Sequence, residues 1–290
     1  MASAAPPLRR CQIEESDIEA IAALLARGFP TRNRQFWLGA FAQLRRHATP
    51  PSLPKYGYLL ESGGRAVGAV LLICSLVRAG EKDAPRCNLS SWYVDPAFRA
   101  YAPMLVSQAL RHKDVTYVNV SPARHTWPII EAQGFSRYCD GRFVAVPVLS
   151  GLFGGPKARV FDAKRNPPVN FDPHDQEMLL QHAEMGCVSF WCVTAERAYP
   201  FVFRRRFVRD VVPYGQLIYC SDVADFVRFA GPIGWFLARR GLPFVIIDAN
   251  APMPGLAGWY SHGDMPKYFK GPQRPRLGDL AFTEYAVMGL

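Results

Sequence analysis

The chain has 290 residues, more than one hydrophobic core normally organises, so two domains are expected. Hydrophobic residues make up 49%, yet no apolar run reaches the ~18 residues that cross a bilayer, which sets aside a helical membrane span. The formal net charge of +10 favours anionic partners: a phosphorylated cofactor, nucleic acid or acidic lipid. The opening MASAAPPLRR lacks the apolar centre of a secretory signal. The seven cysteines form no CxxC pair and the six histidines no HExxH-type spacing. Free buried thiols in a reducing cytoplasm are therefore expected, with no metal.

In chain order, residues 8–13 (LRRCQI) read as a first strand. Ser16 or Asp17 caps a helix over IEAIAALLARGF, where apolar residues recur at three and four spacing. A second helix, RNRQFWLGAFAQLRRH, is broken by Pro50, Pro51 and Pro54. Two strands, YGYLLES and AVGAVLLICSLV, are joined by Gly63-Gly64-Arg65, a hairpin signal. A strand (LSSWYV), a turn (DPAFR), a helix (APMLVSQALRH) and a strand (VTYVNV) come next. A short helix ending in QGF and a closing strand near RFVAVPVLS complete a mixed α/β domain over residues 1–150. Residues 151–172, rich in Gly and Pro, read as a linker or crossover into a second domain over 151–290. There HDQEMLLQHAEMG suits a helix, and CVSFWCVT and AYPFVFRRRFVRDVV suit strands. The Arg204–Arg206 run reads as a solvated strand face.

The stretch QLIYCSDVADFVRFAGPIGWFLARRGLPFVIIDAN lies on the first half without a gap at an offset of 129. Arg99 then falls on Arg228, Ala102 on Gly231 and Pro103 on Pro232. An internal duplication is the reading.

A strand that opens into a helix start through a short basic turn is a ready anion site, since unpaired N–H groups and the helix dipole face the turn. The turn here is Val94-Asp95-Pro96-Ala97-Phe98-Arg99-Ala100-Tyr101-Ala102-Pro103-Met104, and a later short helix ends Gln133-Gly134-Phe135. On these motifs residues 8–148 resemble the GNAT superfamily of acyl-CoA-dependent acyltransferases, whose turn reads V-D-P-x-x-[Arg/Gln]-x-x-Gly-x-[Gly/Ala]. The resemblance implies tandem GNAT-like domains. It also implies that acetyl-CoA or another acyl-CoA is the donor, its pyrophosphate at the turn and its pantetheine arm along a parted strand. Tyr93, Val94, Arg99, Ala100, Ala102 and Met104 are the implied donor-binding residues, with the thioester near Trp92 and Tyr93. Where the family has turn glycines this chain has Ala100, Ala102 and Met104, and Pro103 lacks an N–H. Ala123 stands where the family often has Asn, and Ile130 where it often has a proton-donating Tyr.

The second half offers Arg228, Gly231 and Gly234 as donor-binding residues, so it is the favoured working copy. Tyr219, Asp222 and Asp248 stand at strand ends there. Arg32, Arg34, Phe36 and Trp37 are acceptor-side candidates; alternatively Phe36, Trp37 and Phe41 form an apolar helix face. His262, His125 and Tyr219 are the candidate catalytic residues. The expected function is acyl transfer from acyl-CoA to an amine or hydroxyl. The alternatives are a non-catalytic CoA or anion binder, a Fem-type aminoacyl transferase, and a nucleic-acid-binding protein.

Overall fold

In the computed structural model, residues 8–79, 82–151, 156–209 and 211–290 are described. The opening seven residues and part of the 151–172 stretch lie outside these. The elements run β1 (Leu8–Gln12), α1 (Ile18–Gly28), α2 (Arg34–Arg46), β2 (Gly57–Ser62), β3 (Arg65–Ala79), β4 (Lys82–Val94), α3 (Ala102–Ala109), β5 (Thr116–Asn119) and α4 (Trp127–Ala132). They continue β6 (Ser136–Ala145), α5 (Pro147–Ser150), β7 (Arg159–Asp162), α6 (Pro173–Glu184), β8 (Val188–Val193), β9 (Ala198–Val208) and β10 (Val212–Cys220). The last are α7 (Val223–Arg228), α8 (Ala230–Ala238), β11 (Phe244–Ala249), β12 (Gly258–Lys270) and α9 (Glu284–Val287).

The contacts divide the chain into two units. The first holds the chain up to Ser121 with Trp127–Ser136 and Phe269–Arg274; the second holds Pro122–Thr126, Arg137–Tyr268 and Pro275–Leu290. In the first, β1 to β4 form an antiparallel ladder in sequence order and β5 joins β4 in parallel. In the second, β7 to β10 repeat that ladder and β11 joins β10 in parallel. The fold is thus an α/β mixed sheet pattern written twice.

Helix α1 is preceded by a short 3-10 turn whose Asp17 carboxylate accepts the Glu14 N–H at 2.9 Å, and Asn33 caps α2 through the Phe36 N–H at 2.9 Å. The α1 and α2 stripes bury Ile21, Leu24, Leu25, Trp37 and Phe41 in the first core. The second core is aromatic, with Phe190 stacked on Phe203 at 5.8 Å and Phe226 6.0 Å from Phe203.

Five expectations change. Strand β6, read as closing the first half, pairs with β11, from Ala145 opposite Val245 to Gly141 opposite Ala249. The expected linker contains β7, which pairs with β8. The polar, aromatic stretch after residue 257 is β12, whose end returns to the first unit, where Lys270 donates to the Gln133 carbonyl at 2.6 Å. Its burial does not alternate, since Pro266, Lys267 and Tyr268 are buried in succession, so the sequence carries no period-two signal. Fourth, Cys74 and Cys87, opposite one another in β3 and β4, are disulfide-bonded, while Cys11, Cys139, Cys187, Cys192 and Cys220 are free. Register brings the pair together; sequence spacing gave no sign of it. The arginine run is anchored rather than merely solvated: Arg205 reaches the Arg240 carbonyl and Arg206 lies 4.7 Å over the Tyr285 ring.

Candidate functional site

Strands β4 and β5 pair over three residues only, Arg86–Asn88 opposite Thr116–Val118, although β4 runs on to Val94. At the last rung the buried Asn88 carboxamide donates to the Leu89 carbonyl at 3.0 Å and the Val118 carbonyl at 3.2 Å. Beyond it the β3–β4 register slips between Ala69 and Leu71, and Ser91 takes φ 50°. Such a bulge bends the strand away from its neighbour. This is the first fork.

Past the fork, Tyr93 lies against Gly28, where any Cβ would come within 2.3 Å of the tyrosine ring. Its ring is 6.4 Å from Phe29, which in turn sits 5.5 Å from Trp37. Burial, and then the neighbouring Asp95, raise the Tyr93 phenol above its ordinary range. The Val94 side chain is buried against Gly68, so only its backbone is left for a ligand. Asp95 is held by Arg27 at 3.1 Å and Arg65 at 3.2 Å, and its N–H donates to the Val67 carbonyl. These contacts fix the turn before Pro96 opens a 3-10 segment (Pro96–Tyr101) that leads into α3. Arg99, Ala100, Tyr101 and Met104 are exposed there. The Ala102 N–H already donates to the Arg99 carbonyl, and Pro103 has none to offer. The turn therefore presents fewer amide donors than a glycine-rich one, and the Arg99 charge carries more of any phosphate binding.

On the acceptor side, Trp37 and Phe41 are core residues and Arg34 is paired with Glu19. Arg32 lies 4.8 Å over the Phe36 ring, at the α1–α2 connection. Ile130 is buried, so no phenol occupies its place, and Ala123 and His125 are exposed.

The second fork repeats the first. Strands β10 and β11 pair from Tyr214–Gln216 opposite Phe244–Ile246 and then stop. The buried Gln216 carboxamide donates to the Leu217 and Ile246 carbonyls, both at 3.3 Å. The β9–β10 register slips between Leu217 and Tyr219. Asn88 and Gln216 are 128 residues apart, as are Val118 and Ile246. The copies therefore superpose at 128, not 129, and the Arg99–Arg228 and Pro103–Pro232 matches fall one residue out of register.

The second fork is filled from within. Leu280 N–H donates to the Ile218 carbonyl at 2.7 Å, Cys220 N–H donates to the Gly278 carbonyl at 3.0 Å, and Asp279 bridges Tyr219. The segment after β12 thus occupies the strand edge that the split exposes. Gly231 and Gly234 are buried packing positions: a Cβ on Gly231 would meet Gly151 at 2.8 Å, and one on Gly234 the Val148 nitrogen at 2.3 Å. Their expected role beside a phosphate gives way to close contact between α8 and the α5 region. Tyr219 donates to Asp175 at 3.1 Å, and burial, followed by Asp175, raises its phenol. Asp222 caps α7 through the Ala224 N–H at 2.8 Å. Asp248 is buried with Lys267 at 2.8 Å; burial opposes the ammonium, but Asp248 holds its pKa above the ordinary range. Arg228 is exposed and lies 5.0 Å over Phe229. His262, exposed on β12, has Nδ1 3.3 Å from the Tyr260 hydroxyl.

The sequence reading missed Asn88, Gln216, the Arg27–Asp95–Arg65 cluster and the inserted segment. Two carboxamides at an offset of 128 were the available signal. Among the described residues no group of three or more His, Cys, Asp or Glu stands in position to hold a metal ion, and no helix is long and apolar enough to cross a membrane.

No known family profile matches the sequence, and no curated protein does. Solved structures do. A Pyrococcus horikoshii protein described as an acetyltransferase shares 12% identity, with 97% of this chain and 95% of that one covered and a TM-score of 0.57. A GCN5-related N-acetyltransferase from Kribbella flavida shares 15%, covering 91% of this chain and 71% of that one at 0.55. Another from Anabaena variabilis shares 10%, covering 91% and 72% at 0.57. At these identities the likeness establishes the fold: the chain is folded as a GNAT protein.

Proposed function

We propose that the first unit is the working copy of an acyltransferase that takes its acyl group from acyl-CoA. The observation that carries this is the contrast between the forks: the second is closed by residues 278–280, whereas the bulged β4 edge leads into an exposed, basic helix start. The donor is tested against that geometry. A pantetheine arm needs a strand edge with unclaimed amide groups, and a pyrophosphate needs positive charge beside a helix N-terminus. The bulged β4 edge past Asn88 and the Arg99 charge beside the start of α3 are the features that would serve them. The buried Trp92 indole N–H, which has no hydrogen-bond partner, adds a donor at that level.

On this reading Arg99 and the start of α3 hold the phosphates, and the β4 edge orients the thioester. An acceptor amine or hydroxyl enters beside Phe29, Phe36 and Tyr93. Its lone pair attacks the thioester carbonyl, the carbon–sulfur bond breaks, and the departing thiolate takes a proton. We assign that proton to Tyr93, whose phenol, raised by burial and Asp95, stays protonated at neutral pH. The acceptor gives up its own proton to water, and His125 and His262, which belong to the second unit, are given no role in this step.

A second reading, binding without turnover, draws on Pro103 and on the buried Ile130. Calorimetric titration with CoA and acetyl-CoA, combined with chromatographic detection of released CoA over a panel of amines, separates the two. Chromatography is preferred because the exposed Cys11 thiol would react with thiol dyes. Binding and release support acyl transfer; binding alone supports the second reading; no binding of either ligand defeats both.

A further inference from the structure

Asn88 and Gln216 perform the same task in the two units. Each is the last residue of its strand to pair across the fork, Asn88 with Val118 and Gln216 with Ile246. Each is buried, with 2% and 5% of its surface exposed. Each points its carboxamide N–H at two carbonyls, one from the next residue and one from the partner strand. In an unbroken parallel ladder a backbone N–H serves each such carbonyl, and no side chain is needed. The ladder stops at this rung, and the carboxamide gives the two buried carbonyls beside it a side-chain donor. The separation is then stable before any ligand arrives. Residues of different length, one carbon apart, reach the same pair of acceptors, so the geometry is specific rather than incidental to one side chain.

We infer that Asn88 is a positioning residue: its carboxamide fixes where β4 and β5 part, and so how deeply a pantetheine arm enters. Gln216 is the equivalent wedge in the unit whose fork is filled by residues 278–280. The inference deepens the acyl-CoA reading above and rests on it for the ligand, though not for the fork.

Four full-length proteins test it: wild type, Asn88→Ala, Asn88→Gln and Gln216→Ala. CoA affinity is measured by calorimetry, and amide hydrogen exchange is monitored in peptides covering residues 86–94 and 115–121. Asn88→Ala is expected to weaken CoA binding about tenfold and to speed exchange in both peptides. Asn88→Gln keeps affinity within about threefold, because glutamine does this work in the other unit. Gln216→Ala lowers the melting temperature comparably while CoA affinity stays as in wild type. Unchanged exchange and affinity in Asn88→Ala, or an equal loss of affinity in Gln216→Ala, would overturn the inference; the latter would mean general loosening. If wild-type protein binds no CoA, the acyl-CoA reading fails. The exchange data then decide on the fork alone: faster exchange confined to the two strands supports it, and unchanged exchange overturns it. Asn88→Ser replaces Asn88→Ala if the latter does not fold.

Discussion

The two forks share a rung, a wedge and a register slip, yet they diverge beyond the slip. After Asn88 the first leads to a 3-10 turn whose Arg99, Tyr101 and Met104 face solvent. After Gln216 the second is laced to residues 278–280, backed by buried glycines and neighboured by a buried Asp248–Lys267 pair. A duplicated fold therefore does not imply a duplicated site. Sealing one copy turns its strand edge into ordinary sheet, and Gly231 and Gly234 there serve packing instead. The sequence pointed the other way because glycines and an arginine look like a phosphate loop until their neighbours are known.

The most severe challenge to this contrast is to damage the second unit and watch the first. Asp248→Ala leaves the Lys267 ammonium buried without its partner, and a stability loss of about 3–5 kcal/mol is expected in chemical denaturation. CoA affinity should stay at the wild-type value in the folded protein. A loss of affinity matching that of a first-unit variant would erase the distinction.

Next in size is a pH effect confined to the first unit. Burial, with Lys55 adding to it, lowers the His47 imidazole from 6.5 to about 4, while its Nε2 lies 2.9 Å from Ser75 Oγ. The unfolded chain takes up the proton first as pH falls. Stability is therefore complete above pH 6.5 and is lost between about 6.5 and 4, by about 3 kcal/mol. His47→Gln should flatten that part of a stability–pH curve, and an unchanged slope would show that other groups set it.

Leu280→Pro removes the N–H that reaches the Ile218 carbonyl and leaves a buried acceptor unpaired, for about 1–3 kcal/mol. If residues 278–280 are what closes the second fork, hydrogen exchange at residues 217–220 should rise in this variant. Exchange that stays as slow as in wild type would mean the fork is held shut by something else.

The smallest effect is the most pointed. Arg99→Ala should weaken CoA binding about tenfold, or about 1.4 kcal/mol, with the melting temperature unchanged, since Arg99 is exposed. Arg228→Ala, with its guanidinium over Phe229, should leave CoA binding unchanged. A reversal of those two results would move the working site to the second unit.

Local elements and their class were legible in the order of amino acids alone. Apolar periodicity marked α1 and α2, Gly63-Gly64 marked the β2–β3 hairpin, and the VDPxxR turn with its later Gly-Phe carried the resemblance that the fold bears out. Each is a signal within a few dozen residues, where spacing and side-chain type are enough. The partners of strands distant in sequence emerged only once the chain was folded. Nothing in β6 itself says that it pairs with β11, nor in Cys74 that Cys87 faces it, nor in residues 278–280 that they lie along β10. An exposed strand edge is satisfied by any backbone that reaches it, whatever its side chains, so side-chain identity carries little information about the pairing. Which strand edge the chain covers with its own backbone is thus decided by chain path, not by the motif.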